Sequence, residues 1–220
     1  EKRLKEFQTK LSELKFLDPA CGSGNFLTET YISLRKLENE ILIEIYKGQM
    51  MFGDGDLNPI QVSIGQFYGI EINDFAVTVA KTALWIAESQ MMKETEEIVQ
   101  MSLDFLPLKS YANIVEGNAL HVDWESVVPK DRLNYIMGNP PFVGARLMSA
   151  EQKDDVSFIL NGAKGIGNID YVSCWYKKAA DMMKETEVRT ALVSTNSITQ
   201  GEQVAILWKN CTRNRVDIRM

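Results

Sequence analysis

A short apolar segment, a proline, two closely spaced glycines and a long amphipathic pattern follow one another near the start of the chain. Residues 15–17 predict a strand, Asp18-Pro19 ends it, and a helix is expected to begin near Asn25. Gly22 and Gly24 lack side chains, so the loop between strand and helix can approach a bound molecule closely. Open α/β sheets place ligands at the carboxyl ends of their strands, where this loop falls. The segment therefore predicts an α/β fold with a ligand site after its first strand.

Helical and strand-like hydrophobic periods alternate along the rest of the chain. Helices are predicted over residues 1–14, 25–46, 75–92 and 170–183, the last capped by Asp170. Further strands are predicted over residues 67–72, 111–116, 133–137 and 188–194. This alternation indicates a mainly parallel sheet with helices on both faces.

Three segments depart from this alternation. Residues 47–66 predict an inserted loop, and residues 143–168 carry several glycines and predict a mobile lid rather than packed structure. Residues 216–220 have the pattern of a strand that has just begun. We therefore expect residues 1–220 to be one domain that is truncated at its C-terminus, a fragment of a longer protein.

Composition excludes several classes of protein. With 45% hydrophobic and 25% charged residues the chain has the balance of a globular protein, and its apolar runs are far shorter than the roughly 20 residues of a membrane helix. Residues 1–15 are charged and amphipathic, unlike a signal peptide, so a cytoplasmic location is expected. The cysteines at 21, 174 and 211 and the single His121 have no metal-ligand spacing. We expect reduced thiols and no metal.

The net charge of −6 is unfavourable for a nucleic-acid surface, which normally uses Lys and Arg to neutralise phosphates. Basic residues are denser only near the end, at Lys209, Arg213, Arg215 and Arg219. A complete surface for binding duplex DNA is therefore not expected within these residues.

Residues 18–26 spell Asp-Pro-Ala-Cys-Gly-Ser-Gly-Asn-Phe, which differs from the Gly-x-Gly-x-x-Gly pattern of dinucleotide-binding proteins. The segment resembles the cofactor loop of class I S-adenosylmethionine (SAM) methyltransferases, in the version found in DNA methyltransferases. The resemblance implies cofactor contacts from Asp18, Pro19, Ala20, Cys21, Gly22, Gly24, Asn25 and Phe26. A helix beginning near Asn25 would direct free N–H groups at the cofactor carboxylate, and Asp18 is expected to hold its amino group or an ordered water.

Two polar residues after later strands extend the implied cofactor site. Glu71 ends the second predicted strand, where the family has an acidic residue that binds the ribose hydroxyls, and Ile72 adjoins it. Asn118 and Ala119 follow the third strand, where the family usually has an Asp that contacts the adenine amine of the cofactor. The amide oxygen of Asn118 can still accept that hydrogen bond.

Asn139, Pro140, Pro141 and Phe142 follow the fourth predicted strand. The resemblance identifies them as the catalytic tetrapeptide of enzymes that methylate an exocyclic amine of a nucleobase. The Asn139 oxygen and the Pro140 carbonyl can accept the two amine hydrogens, which frees the nitrogen lone pair. The prolines fix the backbone, and Phe142 can stack on a base extruded from the duplex.

The order of these motifs, together with residues 191–197, resembles the γ-type amino-methyltransferases. Residues 47–66 and 167–172 resemble segments of large fused restriction-modification enzymes, in which target recognition and any nuclease lie outside this core. We therefore interpret the chain as the core of an adenine-N6 DNA methyltransferase that uses SAM and needs no metal. It is expected to bind double-stranded DNA mainly through a recognition domain that is absent from these residues. Cytosine-N4 transfer, protein-glutamine N5 transfer and a catalytically silent SAM-binding segment of a DNA-defence protein stay open as alternatives.

Overall fold

The structure, a computed structural model, describes residues 1–46, 58–100, 103, 112–161, 163–201 and 203–212. The strands within these ranges are β1 Phe16–Asp18, β2 Phe67–Glu71, β3 Asn113–Glu116, β4 Tyr135–Gly138 and β5 Arg189–Leu192. The helices are α1 Lys2–Glu13, α2 Asn25–Tyr46, α3 Asp74–Val99, α4 Trp124–Val127, α5 Ala150–Ile159, α6 Ser173–Met183 and α7 Gln203–Thr212. Short 3-10 turns lie at Ile64–Gln66, Ile166–Asn168 and Asn196–Thr199. The predicted alternation of strands and helices is confirmed.

All described strand pairs are parallel, in the order β3-β2-β1-β4-β5. The chain proceeds from β1 in one direction to β2 and β3, then crosses back to β4 and β5 on the other side. Strand order therefore reverses between β1 and β4, and the carboxyl ends of these two strands flank a switch point where open α/β sheets bind ligands. The rings of Phe67 and Tyr135 stack on either side of the Phe16 ring, and the centroid of each lies 5.2 Å from the centroid of Phe16. This stack fixes the register of the three central strands β2, β1 and β4.

Helices cover both faces of the sheet, as a buried parallel sheet requires. On one face, Phe16, Phe67 and Ile114 pack with apolar residues of α1, α2 and α3. On the other, Leu17, Ile70 and Ile136 pack with α4, α5 and α6. Helix α7 lies outside this second layer, against α6. The predicted α/β class, a mainly parallel sheet with helices on both faces, is confirmed, and its strand order makes it Rossmann-like.

The segment expected to be a mobile lid contains a packed helix instead, which corrects that expectation. Ser149 caps α5 in a reciprocal pair with Gln152, and Val156 and Leu160 are buried in the core. Its described glycines, Gly144, Gly165 and Gly167, lie outside the helix and therefore do not weaken it. The Ser-x-x-Gln spacing is a local capping signal that the glycine content obscured.

Asp170 does not cap α6 through its side chain, which also corrects the sequence-based prediction. Helix α6 begins at Ser173, with Val172 at the N-cap position. The Asp170 carboxylate instead accepts hydrogen bonds from Ala145 N at 3.2 Å and from Gln203 Nε2 at 3.0 Å. It therefore connects the chain after residues 139–142 with α7, a role that depends on tertiary contacts.

Part of the predicted inserted loop lies in residues 58–66, which pack against α1 and α2. Glu38 of α2 is fully buried, and its Oε1 accepts from Gln8 Nε2 at 2.8 Å and from Gln61 N at 2.7 Å. The rest of that loop, residues 47–57, and the strand predicted over residues 216–220 lie outside the described residues. Helix α3 continues to Val99 rather than ending at Met92, because Thr95 and Val99 stay buried beyond the predicted end and Thr95 Oγ1 donates to Asn39 Oδ1 of α2 at 2.7 Å.

Candidate functional site

The loop between β1 and α2 is held against the sheet by backbone hydrogen bonds. Cys21 N donates to Ile70 O at 3.1 Å, and Gly24 N donates to Cys21 O at 2.8 Å. Gly24 has φ +80°, and a Cβ at this position would lie 2.9 Å from Cβ of Ala80 in α3. The loop therefore needs glycine here both for its conformation and for its close packing on α3.

Glu71 at the end of β2 joins this loop to the neighbouring strand. Its Oε2 accepts from Gly22 N at 2.9 Å, and its Oε1 accepts from Asn73 N at 3.0 Å. The side chain is half-buried, and an ionised carboxylate has about four acceptor positions. Glu71 can thus hold the loop and still accept hydrogen bonds from a ligand.

Asp18 lies beneath the loop, with only 1% of its surface exposed. Its Oδ1 accepts from Ala20 N at 3.0 Å, and a side chain at Gly138 would collide with the carboxylate. Burial raises the pKa of Asp18 to about 7; the Ala20 hydrogen bond opposes this shift, and the nearby charge of Glu71 adds to it. The glycine that ends β4 therefore makes room for a carboxyl group that takes up a proton readily.

The tetrapeptide at 139–142 directly follows β4, on the other side of the switch point. Pro140 is buried, whereas Asn139, Pro141 and Phe142 are exposed at the carboxyl edge of the sheet. Phe142 has 45% of its surface exposed, so its ring is accessible to a bound molecule. The tetrapeptide thus presents one amide and one aromatic ring beside the loop that follows β1.

A cavity of about 410 Å³ lies between the two motifs. Eight of the residues predicted for the site line it: Pro19, Ala20, Glu71, Ile72, Asn118, Ala119, Asn139 and Pro141. The remaining eight do not line it: Asp18, Cys21, Gly22, Gly24, Asn25, Phe26, Pro140 and Phe142. Phe26 instead borders a larger, mainly apolar cavity of about 820 Å³ beside β5, α6 and α7. The structure therefore brings residues of both motifs to one cavity, which we call the motif cavity.

Sequence reasoning missed three side chains of the motif cavity: Gln152 of α5, Tyr171, and Trp175 of α6. Trp175 Nε1 donates to Pro19 O at 3.0 Å, so α6 supports the loop after β1. Only Tyr171 had a sequence signal, because it belongs to the segment 167–172 that resembles restriction-modification enzymes. The others can be recognised only from contacts between distant parts of the chain.

Lys178, one turn further along α6, fixes the segment after β3. Its Nζ donates to Ala119 O at 2.7 Å and to Val122 O at 2.6 Å, and lies 5.1 Å from the Trp124 ring centroid. Burial lowers the pKa of Lys178 to about 8, while the carboxylates of Asp123 and Asp181 oppose that shift. This lysine is a structural cation that shapes the wall of the motif cavity.

Asn118 on the same wall joins a polar cluster centred on Asp155 of α5. Asn118 Nδ2 lies 3.3 Å from Asp155 Oδ2, and Tyr171 Oη donates to the same oxygen at 2.6 Å. His121 Nε2 lies 2.6 Å from the other carboxylate oxygen. The helix that replaces the expected lid is thereby attached to the predicted cofactor site.

Other site types find no support in the parts of the chain that the structure describes. Within those parts, His, Cys, Asp and Glu side chains do not gather in groups of three that could hold a metal ion. Cys21, Cys174 and Cys211 are buried free thiols. Among the described helices, none combines the length and apolar character needed to span a membrane.

Comparisons with known proteins agree with this geometry. The family described as "MmeI, DNA-methyltransferase domain" matches residues 1–220. DNA methyltransferase A of Bacillus subtilis (strain 168) is 41% identical over 219 residues, which is 98% of this chain and 24% of that protein. The DNA complex of the type IIL restriction-modification enzyme MmeI matches with a TM-score of 0.90 and 40% identity, over 96% of this chain and 28% of that chain.

A more distant likeness extends the agreement in fold. A nuclease-deletion mutant of the type ISP restriction-modification enzyme LlaGI matches 90% of this chain and 17% of its own, with a TM-score of 0.53 and 15% identity. Identity this low supports the shared fold alone. The chain spans about a quarter of the length of the two closer relatives.

Proposed function

The chain belongs to the family of MmeI DNA-methyltransferase domains, and on this premise we propose that it transfers a methyl group from SAM to the exocyclic N6 amine of an adenine in DNA. The observation that carries the proposal is the motif cavity. Residues of the loop after β1 and of the tetrapeptide after β4 border the same space. A cofactor and an acceptor amine bound there would lie side by side, as direct transfer between them requires.

The wall of the motif cavity has groups that fit SAM. Glu71 offers carboxylate oxygens suited to two ribose hydroxyls, and Asn118 offers an amide oxygen suited to the adenine amine. Ile72 beside them is 67% exposed and offers an apolar surface for a planar base. SAM, when bound, supplies an electrophilic methyl group. The residues of this chain bind the cofactor and orient it.

The tetrapeptide is suited to activating an aromatic amine, which is a poor nucleophile because its lone pair is delocalised into the ring. The Asn139 amide oxygen and the Pro140 carbonyl accept its two hydrogens and draw the nitrogen toward tetrahedral geometry. Phe142, which is exposed and directly follows Pro141 of the cavity wall, stacks on the base once it has left the duplex. This arrangement stabilises the attacking form of the amine more than its resting form, which lowers the barrier.

We further propose that duplex DNA is bound mainly by parts of the protein beyond these residues. The net charge of −6 is unfavourable for phosphate contacts, and the chain corresponds to about a quarter of relatives that include a DNA-bound enzyme. The role is then that of the modification core in a restriction-modification protein. We expect this chain by itself to bind duplex DNA weakly and without sequence preference.

The test is methyl transfer from labelled SAM to duplex DNA by the complete protein, followed by mass spectrometry of the nucleosides. N6-methyladenine is the expected product. Asn139→Ala should abolish transfer while calorimetric SAM affinity stays nearly unchanged, because Asn139 acts on the acceptor amine. Asn58→Ala, at an exposed asparagine outside the motif cavity, is the control and should keep full activity.

The other outcomes separate the alternatives. N4-methylcytosine would identify the cytosine activity, and label in protein glutamine would identify a protein methyltransferase. SAM binding without transfer to any acceptor would identify a silent module. Near-normal adenine methylation by Asn139→Ala would contradict the proposed activation of the amine.

A further inference from the structure

Asn118 is held from two sides, and both neighbours require the same orientation of its side-chain amide. Its Oδ1 accepts a hydrogen bond from Leu120 N at 2.9 Å. Its Nδ2 lies 3.3 and 3.5 Å from the two carboxylate oxygens of Asp155. A backbone N–H only donates and an ionised carboxylate only accepts, so the positions of oxygen and nitrogen in this amide follow from its surroundings.

Asp155 is itself fixed by partners from separate elements. It is buried on α5, where Tyr171 Oη donates to its Oδ2 at 2.6 Å and His121 Nε2 lies 2.6 Å from its Oδ1. The segment after β3, helix α5 and the residues before α6 therefore meet at one carboxylate. Asn118 and Tyr171 line the motif cavity, whereas Asp155 does not. Any influence of Asp155 on a ligand must pass through these neighbours.

We propose that Asp155 is a positioning residue that sets the ligand preference of the motif cavity, by turning the oxygen of Asn118, and not its nitrogen, toward a 6-aminopurine. This inference rests on the proposed function, in which Asn118 accepts from the adenine amine of the cofactor. The Asn118 oxygen has a second lone pair, besides the one used by Leu120, for that hydrogen bond. A 6-oxopurine would place an acceptor against this acceptor, and sites built for a hydrogen-bond donor reject such analogues strongly.

The inference can be tested with two ligands that differ at the purine 6-position and in the proton on the adjacent N1. S-adenosylhomocysteine carries the 6-amino group, and S-inosylhomocysteine carries a 6-oxo group. Calorimetry should show that the protein binds the amino ligand at least about tenfold more tightly, the factor that corresponds to one good hydrogen bond. A protein that folds but binds neither ligand would refute the proposed function itself, whereas equal affinities would refute only this inference.

Asp155→Asn replaces a pure acceptor with an amide that can also donate. Only Leu120 N then still favours the original orientation of Asn118, and the reversed amide becomes accessible at the cost of that one hydrogen bond. The preference for the amino ligand should therefore fall to about threefold or less. Asp154→Asn makes the same chemical change at an exposed position one residue earlier on α5 and should leave the ratio of affinities unchanged. General damage to the fold would weaken both ligands together, so the ratio reports the orientation of Asn118 specifically.

Adding Asn118→Asp to Asp155→Asn exchanges the donor and the acceptor. The carboxylate at position 118 can only accept, and the amide at position 155 can donate to it, so the preference for the amino ligand should return to tenfold or more. A folded Asp155→Asn protein with the original ratio would overturn the inference, as would a double variant with no preference. If Asp155→Asn alone fails to fold, Asp155→Ala, which removes the acceptor facing Asn118 Nδ2, takes its place and should lower the ratio of affinities in the same way.

Discussion

Asp18→Asn should change how stability depends on pH, because the Asp18 carboxyl is buried with a pKa of about 7 against an ordinary value of 3.8. The folded state retains this proton more strongly than the unfolded state. The resulting stabilisation is fully present below pH 3.8 and is lost as the pH rises through about 7. At 1.36 kcal/mol for each pH unit between the two values, the full loss is roughly 4 kcal/mol.

The amide in Asp18→Asn does not titrate, and its oxygen can still accept from Ala20 N. Its new N–H donors sit in a buried position and cost roughly 1–3 kcal/mol if they find no acceptor. With that cost, the variant should lie within about 1 kcal/mol of the original protein near pH 5 and should be more stable than it near pH 8.5. The difference between the two proteins should change by roughly 2–3 kcal/mol over that range.

Urea unfolding followed by tryptophan fluorescence at pH 5, 6, 7 and 8.5 measures this change. Asp154→Asn, at an exposed position, is the matched control for the exchange of aspartate for asparagine. If the curves of Asp18→Asn and of the original protein stay parallel from pH 5 to 8.5, the assigned proton on Asp18 is wrong. If Asp18 also pairs with the cofactor's amino group, saturating SAM should lower its pKa and flatten the pH dependence of the original protein.

Three further substitutions test separate contacts. Glu71→Ala should weaken SAM binding by roughly 1.5–3 kcal/mol in calorimetry, the range for hydrogen bonds to a charged group. The control is Glu116→Ala, at an exposed glutamate that ends β3, which should leave SAM affinity almost unchanged. Phe142→Ala should weaken capture of an extruded base by roughly 1–3 kcal/mol, measured as fluorescence of 2-aminopurine at the target position. Phe7→Ala, at a similarly exposed phenylalanine on α1, should leave that fluorescence unchanged. If Phe142→Ala and the original protein give the same fluorescence, Phe142 does not belong to the base site. Trp175→Phe should destabilise the fold by roughly 1–3 kcal/mol in urea, because Pro19 O loses its donor; unchanged unfolding would show that this hydrogen bond contributes nothing.

The sequence by itself determined the elements that depend on neighbouring residues. The passage from β1 through the glycine loop into α2 was predicted closely, because proline, glycine and hydrophobic period act within a few residues. Glu71, Asn118 and Asn139 were identified through the resemblance of their motifs. They lie together because each stands at or just after the end of a strand, and parallel strands bring their carboxyl ends to one edge. The motif cavity could therefore be anticipated from strand order and motif position together.

Only the tertiary structure decided which side chains support that cavity. Trp175 reaches Pro19 across 156 positions of the chain, and His121 reaches Asp155 across 34, distances at which hydrophobic period carries no information. The same holds for Asp170, which its sequence position suggested as a helix cap and which instead bonds to Ala145 and Gln203. Local signals specify how a segment folds, whereas the partner of a buried polar group is set by which segments the packed core brings together.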